Sequence, residues 1–343
     1  MLIGKKSQYY KMLTSSNAKM EEYDIDDNDR IIIQEPIEKL FLTAIGIVGE
    51  VSANIQRNQE NIDEILEKNR NELLFSAKFI EDYYNGNINR KNENLYLIIS
   101  AVGYYLANSI GNSKVLISKI DVNTLDLNVN GLDYAIVSLL KDEFDISNEE
   151  KYQGKYKSYL INMKNIMCIF LKDYYVLESN EKNKFRTEVY KEGTDTELLF
   201  VDIFLTIFDL KIKNSFIELS NKYIDIENNE FKRKLIENNK IKELWPSQKN
   251  IGENGVFKGR SAVIQLPTGS GKTKSLTILL STYFLQTSKK VAVIVAPFRA
   301  LCREISNDLI RDFGNNDGIK INEMNDVLNE ENLFVFENNV KAV

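Results

Sequence analysis

The 343-residue chain contains no histidine, two cysteines and four prolines. Without histidine there can be no histidine general base, no Ser–His or Cys–His nucleophile pair and no imidazole metal site. Cys168 and Cys302 stand far apart, so they make neither a disulfide framework nor a thiolate zinc cluster. Any chemistry must run on carboxylates, Lys, Arg, hydroxyls and a bound metal ion. Long hydrophobic runs are also missing. A membrane helix needs about 20 apolar residues in succession, and the best candidate, 95–110, is broken by Ser100, Gly103, Asn108 and Ser109. It reads as a buried helix. The start, MLIGKKSQYYKML, lacks the apolar core of a secretory signal. A cytoplasmic protein with no membrane partner is the expectation.

What is present suffices for two cores, since 43% of the residues are hydrophobic. The net charge of −6 is unevenly spread. Residues 241–343 hold 13 Lys+Arg against 11 Asp+Glu, leaving 31 against 39 in residues 1–240. An acidic N-terminal part suits a protein partner better than blanket phosphate binding.

Residues 1–30 are polar, end in YDIDDNDR and read as a solvated lead-in. From 31 to 240 the chain reads as helix after helix, with Pro36 the single proline. EKLFLTAIGIVGEVSANI, NLYLIISAVGYYLANSI, GLDYAIVSLLKDEF and YKSYLINMKNIMCIFLKDYYVL place apolar residues at helical spacing. Breaks are expected at NGNINRKNEN, SIGNS, NVNG and SNEEKYQGK. Composition changes near 235–245. Beyond it lie three of the four prolines and strand-like runs, SAVIQL and VAVIVA, then NLFVFE and VKAV. Strands alternating with helices imply a parallel sheet. The fold expected is a mainly α domain over 31–240, followed at 241–343 by part of an α/β P-loop domain.

Residues 266–273, LPTGSGKT, follow the strand-like SAVIQ and precede the helical KSLTILLSTYFLQ. Strand, glycine turn, helix is the context of a phosphate-binding loop. Backbone N–H groups of Thr268, Gly269, Ser270 and Gly271 would converge on nucleotide phosphates, aided by the helix N-terminus. Lys272 would reach the β- and γ-phosphates, and Thr273 would offer its hydroxyl to Mg²⁺. The general pattern wants glycine where Leu266 stands.

KELWPSQKN at 242–250, LPTGSGKT at 266–273 and VAPFRALCREISNDL at 295–309 together resemble the opening motifs of superfamily 2 helicases, the DEAD/DEAH-box and Ski-like nucleic-acid motors. The resemblance covers 242 to about 343 and implies a RecA-like motor domain using ATP and Mg²⁺. It implies that Gln248 reads the adenine edge, which needs a group that both donates and accepts. The other reading of Gln248 is an ordinary helix-start glutamine after Pro246. The resemblance also implies that Pro297, Arg299 and Ala300 open a helix that holds a nucleic-acid phosphate. Arg299 could equally be a surface arginine, and Phe298 stands where the family carries a small polar residue.

The family hydrolyses ATP with a D-E-x-D/H motif placed after the loop, and none follows Lys272. Asp142-Glu143-Phe144-Asp145 spells D-E-x-D but precedes the loop and reads as a helix end. The chain is therefore expected to be the front piece of a longer motor, unable to unwind nucleic acid alone. Long helical N-terminal regions are similar to those of helicase subunits in bacterial anti-phage systems such as Hachiman. That likeness implies a protein partner, a nuclease effector, docked on the helical domain. DNA rather than RNA is the expected track. Two other readings stay open: a non-catalytic nucleotide-binding scaffold built on the helices, and a P-loop ATPase of another class.

Overall fold

In the computed structural model the described residues are 37–85, 93–125, 127–173, 180–224, 241–267, 269–286, 291–313, 319–321 and 341–342. The lead-in at 1–30 and the strand-like NLFVFE lie outside them. The chain divides into two compact units, Met1–Leu210 and Lys211–Val343.

The first unit is helical throughout its described residues. Its elements are α1 (Ile37–Arg57), α2 (Ile62–Lys68), α3 (Arg70–Asn85), α4 (Glu93–Leu106), α5 (Ile110–Ser118), α6 (Leu132–Leu140), α7 (Lys157–Asp173), α8 (Glu181–Glu192) and most of α9 (Asp195–Lys213). The helical patterns read in the sequence form helices here, with one adjustment before α5. Asn69 separates α2 from α3, and its side chain donates to the Ile65 carbonyl at 2.7 Å. The break expected at SIGNS falls earlier, at 107–109, so that Gly111, Asn112 and Ser113 lie inside α5. The NVNG turn is built on left-handed backbone at Asn128 (φ 54°), Asn130 (φ 51°) and Gly131 (φ 85°). Asparagine and glycine are the residues that tolerate this region.

Two helices occupy the centre of this unit. All nine residues of α6 are buried. In α9, residues 200–208 are buried without interruption, polar Asp202 and Thr206 among them. Phe204 is 0% exposed and makes aromatic contacts with Phe144, Phe185 and Phe208 at centroid distances of 5.6–6.1 Å. Full burial of such a side chain contributes about 1.5–3 kcal/mol. The two buried polar residues of this stretch, Asp202 and Thr206, are paired. Asp202 accepts from Arg186 Nε at 2.7 Å and from the Tyr190 hydroxyl at 2.5 Å. Thr206 donates to the Ser52 carbonyl at 3.2 Å. Asp142 lies in the turn that ends α6, ion-paired to Lys114, and Phe144–Ile146 form one 3-10 turn.

The second unit begins before the compositional change near 241. Ser215 and Glu243 form an antiparallel bridge. Phe216 N–H donates to the Lys242 carbonyl at 3.0 Å, and Leu244 N–H donates to the Asn214 carbonyl at 2.9 Å. The Lys211–Glu243 ion pair is almost fully buried, at 2.5 Å. α10 (Phe216–Tyr223) is capped by Ser215, whose hydroxyl accepts from Glu218 N–H at 3.1 Å. It packs on α11 (Pro246–Glu253) so closely that a Cβ at Gly252 would lie 2.6 Å from the Tyr223 ring. These contacts place 211–224 with the segment that follows them. Composition could not register this, because α9 runs across the division without a change of character.

α12 (Lys272–Gln286) and α13 (Arg299–Phe313) pack through Leu280, Phe284, Leu309 and Phe313, with Ala292 and Ile294 against the same cluster. Parallel pairing is confined, among the described residues, to β1 (Ile319–Lys320) beside β2 (Lys341–Ala342); β2 falls within the expected run VKAV, whereas β1 was not among the expected strands. The two strand-like runs flanking the loop, 261–266 and 291–296, carry no ladder beyond a single bridge position at Val291. Val263 is 102% exposed, Val293 76% and Val295 89%. Residues 291–296 still alternate as an extended chain should, with Ala292 and Ile294 inward and Val293 and Val295 outward.

Candidate nucleotide and nucleic-acid site

The loop is set between α11 and α12. Gly269 (φ 77°) and Gly271 (φ 84°) both take left-handed backbone, which a side chain would strain. Their surroundings differ. A Cβ at Gly269 would meet nothing within 4 Å, whereas one at Gly271 would lie 2.9 Å from Gln248 Nε2 and 3.4 Å from Trp245 Cε3. One glycine faces open space, where a ligand can approach the backbone, and the other is pressed onto the helix behind it. Ser270 closes the turn with a hydroxyl bond to the Pro267 carbonyl at 2.8 Å. Ser247, in the first turn of α11, donates to the Ser270 carbonyl at 2.5 Å. Lys272, exposed, and Thr273, half-buried, then open α12. Thr268 lies outside the described residues.

Gln248 is 3% exposed and fully engaged. Its Oε1 accepts from Trp245 N–H at 2.8 Å, the reciprocal half of a capping box at the start of α11. Its Nε2 reaches the Gly271 carbonyl at 3.5 Å, the long limit for such a bond. The structure thus brings Gln248 to the loop, as a helix-start residue that braces it from behind.

Pro297, Arg299 and Ala300 are exposed at the N-terminal end of α13. Cys302 N–H donates to the Phe298 carbonyl at 3.0 Å, which starts the helix, and Phe298 itself is 71% exposed. The opposite end of α13 meets the loop helix. Asp312, 4% exposed, accepts from Lys274 Nζ at 2.7 and 2.9 Å and lies 2.8 Å from Thr277 Oγ1. Trp245, Ser247, Lys274, Thr277 and Asp312 are the residues that sequence reasoning missed. For Lys274 and Asp312 a signal existed: a cation in the first turn of one helix and an anion in the last turn of another, each against its helix dipole.

Among the described residues no three acidic or thiol side chains gather as a metal site.

A glycine turn with left-handed backbone, a lysine and a threonine at the start of a long helix define the class: a nucleotide-phosphate loop. Residues 245–338 match the model of the family described as DEAD/DEAH box helicase. Over 72 residues the chain is 35% identical to the ATP-dependent DNA helicase Hel308 of Thermococcus kodakarensis, a stretch covering 21% of this chain and 6% of that protein. It is similarly 35% and 32% identical over 72 residues to the Hel308 proteins of Pyrococcus horikoshii and Pyrococcus abyssi, covering 10% of each. The chain thus spans a small fraction of these relatives' length. The matches support a superfamily 2 helicase. No helix among the described residues is long and apolar enough to cross a membrane.

Proposed function

We propose that the second unit binds ATP with Mg²⁺ on the loop 266–273, and that the chain serves a DNA-dependent ATPase of the helicase or translocase type. The observation that carries this is the pair of left-handed glycines, one open to a ligand, leading into Lys272 and Thr273 at the start of α12. Backbone N–H groups of the loop from Thr268 to Gly271 take the phosphates, and Lys272 supplies a point charge to the β- and γ-phosphates. The Thr273 hydroxyl and the phosphates together hold Mg²⁺, which when bound neutralises phosphate charge. Gln248 holds the loop from behind. Reading adenine would require its carboxamide to exchange Trp245 N–H and the Gly271 carbonyl for the base edge.

Pro297, Arg299 and Ala300 form the nucleic-acid contact, a helix N-terminus with a guanidinium beside it. DNA is proposed as the track because the relatives named above are DNA helicases. The first unit is proposed to dock a protein partner, a nuclease effector of an anti-phage system being the kind its likeness suggests.

The test is binding of a fluorescent ATP analogue with Mg²⁺ to the whole chain. Lys272→Ala should weaken it at least about tenfold, the loss expected when a charged phosphate contact of about 1.5–3 kcal/mol is removed, with the thermal midpoint unchanged. Unchanged affinity in a folded variant would sink the assignment of the loop.

A further inference from the structure

The Asp312 carboxylate is buried, yet it lies in the last turn of α13, where a helix dipole disfavours negative charge. Lys274 is the third residue of α12, where the dipole disfavours positive charge. Neither charge helps the helix that carries it. The two charges meet across the helices, through contacts at 2.7 and 2.9 Å to the two carboxylate oxygens. Arg311 adds a longer contact to Asp312 at 3.8 Å from a mostly exposed side chain.

Thr277 extends the link toward the loop. Its Oγ1 lies 2.8 Å from Asp312 Oδ2 and 3.2 Å from the carbonyl of Thr273. A hydroxyl has one proton to give, so Thr277 divides it between the carboxylate and the residue proposed to hold Mg²⁺. Asp312 therefore grips α12 at 274 and 277, immediately beyond Lys272 and Thr273. The same helix carries Arg299 and Ala300 at its other end, with Pro297 just before it.

We propose that Asp312 is a positioning residue that locks the first turn of the nucleotide-loop helix to the helix opening at Arg299, so that occupancy of the loop and of a phosphate at that helix start are linked. The inference rests on the nucleotide and nucleic-acid reading above. Coupled sites must raise one another's affinity by the same factor, ordinarily about 5–150-fold. A purely structural contact would instead lower stability and both affinities together, leaving their ratio in place.

The experiment measures, on the whole chain, the dissociation constant of a fluorescent ATP analogue with Mg²⁺, with and without a saturating single-stranded DNA oligonucleotide, and reads the ratio. The wild-type chain should show at least about a fivefold ratio. Asp312→Asn, which keeps shape and the Thr277 bond, should bring the ratio near one. Lys274→Met should do the same, the double variant should lose no more than either single one, and Asp312→Glu should recover most of the ratio. If Asp312→Asn does not fold, Lys274→Met carries the test, since Lys274 lies nearer solvent. A ratio that persists in either folded variant, or a wild-type ratio of one, overturns the proposal. A wild-type chain that binds no nucleotide at all overturns the underlying reading, and this inference with it.

Discussion

α6 and residues 291–296 are written in the same apolar vocabulary, LDYAIVSLL and VAVIVA, and they meet opposite fates. Every residue of α6 is buried, while Val293 and Val295 stand out in solvent. The difference lies in where each conformation finds its hydrogen bonds. A helix satisfies its interior backbone from its own residues and needs neighbours only for burial. A parallel strand takes every ladder bond from another strand, and its run of apolar residues needs a layer on each face. The α12–α13 cluster covers Ala292 and Ile294 and so supplies one layer. The first unit is built of elements that carry their own bonds. The second uses strand pairing, which among the described residues joins two residues of β1 to two of β2.

That comparison can be broken at its strong end. Phe204→Ala empties the middle of the α9 core and should cost about 3–5 kcal/mol, the range for a buried phenylalanine that leaves a cavity. Urea unfolding followed by helical circular dichroism checks it, and a loss below about 1 kcal/mol would mean that this helix is not the centre of the unit.

The two loop glycines give a finer contrast. Gly271→Ala places a Cβ 2.9 Å from Gln248 Nε2 on left-handed backbone, so it should cost about 1–3 kcal/mol and weaken ATP-analogue binding. Gly269→Ala meets open space and should cost about 1 kcal/mol, the conformational penalty alone. Thermal midpoints of the two variants, measured side by side, decide whether the loop is braced from behind as described. Equal midpoints would say it is not.

The smallest effect should come from the weak end. Val293→Thr changes a side chain that is 76% exposed and should shift stability by less than about 0.5 kcal/mol. Hydrogen exchange sharpens the same point, with amides at 293 and 295 exchanging fast and those at 203–208 exchanging only on global opening. Slow exchange at 293 and 295 would show that this segment finds ladder partners in solution.

Helices were legible because their signal is local: apolar spacing, asparagine and glycine breaks, and turns that need left-handed backbone, as at Asn130 and Gly131. The loop was legible because its glycines, lysine and threonine are contiguous. What escaped was everything fixed by distance along the chain. The bridge from Ser215 to Glu243 moves the division between units upstream, and no window of composition contains both residues. Lys274 and Asp312 each stand against a helix dipole, but their pairing exists only where two helices bring them together. Gln248 was legible as a residue and as a neighbour of the loop. Its cap on Trp245 N–H and its burial depend on how α11 lies against Gly271.

Trp245 is the only tryptophan of the chain, and its ring edge sits against Gly271. Indole emission excited selectively over the tyrosines therefore arises from one address, the back wall of the loop. The protein carries its own optical probe for whatever settles on Lys272 and Thr273, and binding and loop rearrangement can be followed without attaching a label.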